Sequence, residues 1–264
     1  MKIALGIFGF IRDDIYVNSW LSFFERLKSD SDAKASGDAK ASGDAKIDVY
    51  LCTPNILREF DGDIVNFEYI KDTLMKNPMI ENVFIRDYKY DPQVFINKSK
   101  ELNLPYKTPD NLYPYRILSL FSSISNASKE ILQSNIEYDF TILTRFDMLK
   151  LVYSIGADLE IYKDKSAIYG YRADNSQIED RFIITGVVGL TKLSKLYETY
   201  HNHTPIVNIG DEPFVSEFKL RSYLLQFSPE LNIYYNGNII LGLGDTYSKY
   251  TSEFETKINK IYAP

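Results

Sequence analysis

The chain has 264 residues, 45% of them hydrophobic, which is enough to bury a full core and is most simply read as one large domain. A net charge of −6 excludes a protein that holds nucleic acid chiefly by neutralising its phosphates. The single cysteine, Cys52, rules out an internal disulfide, and no apolar run reaches the roughly 18 residues of a membrane span, so a soluble cytoplasmic protein without a transmembrane segment is expected.

Residues 3–8 form a short apolar run that ends at Gly9, and Asp13 or Asp14 would cap an amphipathic helix reaching about Leu27. Residues 30–46 then carry Ala35-Ser-Gly-Asp-Ala-Lys40 and its identical copy Ala41-Ser-Gly-Asp-Ala-Lys46. With no apolar side chain larger than alanine, this repeat cannot offset its ordering entropy and reads as a surface insertion. Residues 47–52, 82–85 and 140–143 have strand composition, and 113–132 show the helical pattern that separates the last two. Such alternation implies a parallel sheet. Beyond Met148 the order changes: 167–171, 182–188 and 233–240 read as strands, 193–200 and 214–225 as helices. The expectation is therefore an α/β protein with a mostly parallel central sheet flanked by helices. Residues 1–150 would form a ligand-binding half and 151–264 a mixed α+β half of the same domain.

The densest chemical signal is Tyr138-Asp-Phe-Thr-Ile-Leu-Thr-Arg-Phe-Asp-Met148, a buried β-branched run that delivers Arg145 and Asp147 at its end. Ligands of open α/β sheets gather at the carboxyl ends of the strands, and residues two apart on an extended chain emerge on one side. An arginine fork and a carboxylate in that position suit a metal-bound diphosphate, with Asp147 as the ligand of Mn2+ or Mg2+. A strand-end ion pair is the plain alternative. Arg12 follows a glycine-containing strand end where a ligand can approach the backbone at Gly9, or else pairs with Asp13 or Asp14. Thr53 ends the second strand, where it would touch base or ribose or merely begin a turn. Arg116 opens a helix, the wrong end for a cation, which invites a phosphate or sugar partner; the alternative is a side chain laid along Tyr113 or Tyr115. His201 and His203 lack a third ligand and make a poor zinc site. Gly-x-Gly-x-x-Gly, Gly-x-Ser-x-Gly and the P-loop pattern are all missing, which disfavours dehydrogenases, common hydrolases and P-loop enzymes.

Three motifs in order, Gly6-Ile-Phe-Gly-Phe-Ile-Arg12, Asp48-Val-Tyr-Leu-Cys-Thr53 and Tyr138 to Asp147, resemble nucleotide-sugar glycosyltransferases of GT-A type. The nearest likeness is to those of lipopolysaccharide or capsule loci and of large DNA viruses. Asp180-Arg-Phe-Ile-Ile-Thr-Gly186 and the helix Ser216-Glu-Phe-Lys-Leu-Arg-Ser-Tyr-Leu224 continue the resemblance, which spans most of the chain. Arg145 departs from it, standing where the first aspartate of Asp-x-Asp is usual. The resemblance implies a GT-A-like (Rossmann-like) fold, a nucleoside-diphosphate sugar donor near Arg12, and transfer to a glycan or glycoconjugate hydroxyl. Displacement with inversion would need a carboxylate base; Glu217 matches the resembling helix glutamate, Asp211 and Glu212 are the other candidates, and Asp180 suits a sugar hydroxyl. Two further classes stay open: a non-catalytic nucleotide- or carbohydrate-binding protein, and a sugar nucleotidyltransferase, which would usually carry a glycine-rich basic loop after the first strand. Deleting the repeat is expected to preserve the cooperative melting transition; a chain that no longer melts cooperatively would make the segment part of the fold.

Overall fold

The computed structural model describes residues 1–11, 45–56, 64–104, 113–146, 150–152, 162–170, 180, 182–202, 216–227, 230–235 and 240–242. Four strands come first: β1 (Lys2–Phe8), β2 (Lys46–Pro54), β3 (Ile80–Tyr88) and β4 (Phe140–Arg145). Among them lie helices α1 (Phe67–Leu74), α2 (Pro92–Glu101) and α3 (Pro114–Gln133). The remainder holds β5 (Lys150–Val152), β6 (Ala167–Gly170), β7 (Phe182–Thr185), α4 (Val187–Leu193), α5 (Leu196–Asn202), α6 (Ser216–Leu225), β8 (Asn232–Tyr235) and β9 (Ile240–Gly242). Seven strands form one sheet in the order β3-β2-β1-β4-β7-β6-β8, and β5 pairs with β9 separately. The β1–β2, β2–β3, β1–β4 and β6–β8 pairs are parallel, whereas β7 runs antiparallel to both β4 and β6. This mostly parallel sheet with flanking helices is the α/β architecture expected.

Both sheet faces are covered, which is why β1 and β4 read as unbroken apolar runs. Ile3, Leu5, Ile7, Val49, Leu51 and Ile142 pack on one side with Ile70 and Leu74 of α1. Alternate residues, including Ala4, Phe8, Tyr50, Cys52 and Leu143, pack on the other with Leu118, Phe121 and Ile124 of α3. Cys52 is a core residue; burial pushes its thiol up to about 12, so it stays protonated and inert. No helix among the described residues is long and apolar enough to cross a membrane.

Several boundaries differ from the expectations. The strand expected over 182–188 stops at Thr185: the amide of Gly186 still donates to Ala167 O (3.0 Å), and the chain then turns into α4 at Val187. Gly186 is required for close approach: a Cβ there would run into the backbone of Asp164 and Lys165. The helix expected over 193–200 is α5, which starts three residues later at Leu196; α4 ends before it at Leu193, and the Ser194 hydroxyl donates back to Thr191 O (2.8 Å). The strand expected over 233–240 is two, β8 and β9, in different sheets. Helices α1 and α2 escape the periodicity because they are short, but each has a local start signal. Asn66 accepts from Tyr69 N (3.1 Å), and Asp91 accepts from Gln93 N (2.9 Å) ahead of Pro92. The helix proposed from Asp13 or Asp14 to Leu27, and the repeat except for Ala45 and Lys46, lie outside the described residues.

Near the amino edge of the sheet a polar network is enclosed between β2, β3 and the chain entering β4. Asp48 is fully buried and accepts from Asn82 Nδ2 (2.7 Å) and Tyr138 Oη (2.8 Å), with Lys2 Nζ at 3.3 Å. The Tyr50 hydroxyl lies 2.7 Å from that of Tyr138. Desolvation, reinforced by the bonds to Tyr50 and Asp48, pushes the Tyr138 phenol upward, so it stays a donor. Asp48→Ala would remove the acceptor that Asn82 and Tyr138 share, and is expected to cost about 1 kcal/mol, since Asn82 reaches solvent and Tyr138 can turn to the Tyr50 hydroxyl. Urea unfolding measures this, and an unchanged midpoint would show the network to be dispensable.

Candidate active site at the carboxyl edge

Strands β1, β2 and β3 succeed one another outward from the centre, and β4 then returns to the other side of β1. The strand order therefore reverses between β1 and β4, and in an open α/β sheet such a reversal leaves a crevice at the carboxyl ends. Phe8 pairs with Arg145 across this junction, and Phe146 N donates to Phe8 O at 3.3 Å just past it. Gly9 follows with φ +82°, a left-handed conformation that glycine adopts without penalty. A Cβ at Gly9 would stand 3.9 Å from Arg145 Cγ, so the two predicted donor residues are neighbours at the mouth of the crevice.

Two further predicted residues reach the same edge by different routes. Thr53 is the penultimate residue of β2, one step beyond the Phe8–Cys52 pair. It is fully buried, and its Oγ1 has no hydrogen-bond partner among the described residues. Such a hydroxyl costs free energy unless a ligand or water satisfies it. Asp180 arrives through the reversal of β7: Phe182 pairs with Thr144, so a residue two positions earlier falls beyond the end of β4, alongside Arg145 and Phe146. Asp180 is only 4% exposed, which for a carboxylate demands polar partners.

Helix α3 runs antiparallel to the strands it covers. Its Ala127 lies over Gly6 in the middle of β1, and its Ser123 Oγ is 3.2 Å from the hydroxyl of Tyr88 at the end of β3. The first turn, about two turns further on, therefore lies toward the carboxyl edge. That turn has no side-chain cap and no acidic residue, and it carries Arg116. Its peptide dipoles and the guanidinium both favour an anion there. Glu217 is the second residue of α6, a helix that ends close to the start of β8 and so begins toward the carboxyl side; its side chain is outside the described residues. Arg12, Asp147, Asp211, Glu212 and His203 also lie outside them, as does the side chain of His201. No group of three or more potential metal ligands occurs among the described residues.

Two residues here, Phe10 and Tyr90, escaped the sequence-based selection. Phe10, part-buried, directly follows Gly9 and meets Tyr90 edge-on, with ring centroids 4.8 Å apart. An aromatic residue next to a glycine turn was the available signal.

No family model matches the chain, and no curated protein matches it. Solved structures do. A nucleoside-diphosphate-sugar pyrophosphorylase from Vibrio cholerae aligns over 95% of this chain and 99% of its own, at 9% identity and a TM-score of 0.44. A protein described as a nucleotide-diphospho-sugar transferase from Desulfovibrio desulfuricans aligns over 98% and 90%, at 10% identity and a TM-score of 0.39. Mouse xyloside xylosyltransferase 1 aligns over 89% and 83%, at 12% identity and a TM-score of 0.42. At these scores the likenesses carry no argument, and the functional case rests on this chain's own topology and residues.

Thr53 offers a test that separates folding from binding. Thr53→Val removes a buried hydroxyl without a described partner, so the melting temperature is expected to hold or rise, while nucleotide affinity, read by calorimetry, falls by about fivefold or more, as for one lost hydrogen bond. Unchanged affinity would remove Thr53 from the site.

Proposed function

We propose that the protein is a glycosyltransferase that moves a sugar from a nucleoside-diphosphate sugar to a hydroxyl of a glycan or glycoconjugate. The observation that carries the proposal is the meeting of Gly9, Arg145 and the approach to Asp180 at the point where the strand order reverses. In this scheme the diphosphate lies at Gly9, where backbone approach is closest, and Arg145 and Arg116 face its oxygens. A guanidinium fork matches phosphate oxygens two at a time and stabilises the charge that grows on the leaving diphosphate. Arg12 would add to this charge, Thr53 would meet base or ribose, and Asp180 would accept hydrogen bonds from hydroxyls of the transferred sugar.

The proton of the attacking acceptor hydroxyl needs a carboxylate within hydrogen-bond reach. Glu217 at the start of α6 is the first choice, with Asp211 and Glu212 as the other candidates. A divalent cation, Mn2+ or Mg2+, would be held by Asp147 together with phosphate oxygens and water, since such ions commonly take only one or two carboxylates beside a phosphate. It would supply charge neutralisation of the departing diphosphate. The described residues do not themselves form a cation site, so this part of the proposal rests on Asp147.

Purified protein is to be incubated with a panel of nucleoside-diphosphate sugars, with Mn2+ or with EDTA, while melting temperature and nucleoside-diphosphate release are followed. A bound donor stabilises the native state by mass action. The expected result is metal-dependent stabilisation by one donor, slow release of its nucleoside diphosphate, and loss of turnover in Asp147→Asn with the fold retained. Binding without release would favour a non-catalytic protein, and formation of nucleoside triphosphate from donor and pyrophosphate a nucleotidyltransferase. A panel that shifts nothing defeats the nucleotide-sugar proposal, and full activity in Asp147→Asn defeats the metal assignment.

A further inference from the structure

At the end of the sheet opposite β3 stands β8, whose four residues, Asn232–Tyr235, include no charged side chain and whose Tyr234 is 46% exposed. The ring is not loose. Tyr234 pairs with Tyr169 of β6, and the two rings lie stacked, with centroids 5.0 Å apart at 16°. Tyr169 meets Tyr162 edge-on at 4.8 Å, and the buried Tyr162 packs on Phe140 of β4 at 5.5 Å. A row of rings thus runs from the core to the last strand among the described residues. It ends in an aromatic face turned away from β6, off the side of the sheet.

Asn232 stands two residues before Tyr234 and so projects from the same face of β8. It is exposed, and its Nδ2 donates to Asp164 Oδ2 at 3.1 Å. Asp164 is fixed in turn, its Oδ1 accepting from Ser166 N at 2.9 Å. A flat ring therefore lies beside an amide and a carboxylate that already hold each other in place. The C–H face of a pyranose is drawn to the negative face of an aromatic ring, and its hydroxyls, each donor and acceptor, match planar polar side chains at the rim. A nucleic acid would also stack, but Asp164 and a net charge of −6 oppose its phosphates. Surface that is ordered before binding does not have to be ordered by it.

By register Tyr234 is level with Tyr169, Ile184 and Ile142, three strands out from β4 and three residues back from Arg145. Strand spacing and rise separate the two places by roughly 17 Å, so a single sugar cannot touch both.

We propose that Tyr234, backed by Tyr169 and rimmed by Asn232 and Asp164, is a second binding site, which takes a neutral sugar ring of an extended glycan whose reacting end lies in the crevice. This deepens the glycosyltransferase proposal and rests on it. The sugar held here does not react, so the site supplies affinity for long chains and leaves the chemical step unchanged.

The test titrates wild type, Tyr234→Ala, Tyr234→Phe and Asn232→Ala by calorimetry with maltohexaose, cellohexaose, laminarihexaose and the chitin hexasaccharide, and with the matching disaccharides. Wild type is expected to bind one hexasaccharide more tightly than its disaccharide. Tyr234→Ala should weaken that hexasaccharide about fivefold or more, the loss of one ring contact, and leave the disaccharide unchanged. Tyr234→Phe, which keeps the ring, should bind as wild type does, and Asn232→Ala should weaken the hexasaccharide alone. Slow nucleoside-diphosphate release from the donor, followed in parallel without acceptor, should be equal in all four proteins, which also shows that each is folded. If Tyr234→Ala binds the hexasaccharide as wild type does, or if wild type releases nucleoside diphosphate yet prefers no hexasaccharide to its disaccharide, the second site is overturned while the transferase stands. A wild type that is dimeric by light scattering beside a monomeric Tyr234→Ala would make this face an interface between copies and overturn the site as well. If wild type neither releases nucleoside diphosphate nor binds any of the sugars, both proposals fall.

Discussion

The backbone of β1 is hydrogen-bonded on one side to β2 and on the other to β4, and every residue from Ile3 to Phe8 is buried. A strand enclosed on both edges and both faces has a fixed register, because a slip of one residue would exchange the two faces and break both ladders. The remaining geometry is set relative to it. Pairing of Phe8 with both Cys52 and Arg145 brings the ends of β2 and β4 level with Gly9, and the positive φ of Gly9 turns the chain away there. The crevice is the space left when a rigid central strand ends among neighbours that arrive from opposite sides.

The two ends of the sheet are treated differently by the same kinds of residue. Near the amino edge, Asp48 has a donor for each oxygen, and Lys2 lies beside it. At the carboxyl edge the buried hydroxyl of Thr53 lacks a described partner, and the first turn of α3 has neither cap nor acid. Fully satisfied polar networks rigidify a core, whereas polar groups left over mark where the fold has conceded stability to something else. A satisfied network at one end and, among the described residues, a buried hydroxyl without a partner at the other is the pattern expected of a scaffold that carries a site.

Much of this was readable from sequence because burial on both faces leaves an unbroken apolar run, as in 3–8, 47–52 and 140–143. β3 was read too short: it is the outer strand, so Glu81, Asn82, Arg86 and Asp87 interrupt the apolar pattern. Helices α1 and α2 bury few side chains and announce themselves only through Asn66 and Asp91. The reversed direction of β7 is invisible locally, since a four-residue apolar strand carries no mark of its orientation. Yet that reversal is what carries Asp180 to the carboxyl end of β4, 35 positions from Arg145 in the chain. Residue types at the site were therefore legible, and their meeting was not, because it depends on register between strands distant in the chain. Arg12, Asp147, Asp211 and Glu212 lie outside the described residues and keep the standing that their local sequence gives them.

The outer position of β3 has one more consequence. A strand at the end of a sheet presents unpaired backbone groups along one side and invites a strand from another molecule to add to it. Here the strand carries a charged or amide side chain at four of its nine positions, and three of these are held in place, Glu81 facing Lys2, Asn82 donating to Asp48 and Arg86 bonded to Glu130 of α3 at 2.7 Å. A second copy docking along β3 would have to bring its own charges against these or strip them of water. The residues that hide β3 from a reader of the sequence are the same ones that make its open edge costly for another strand to join.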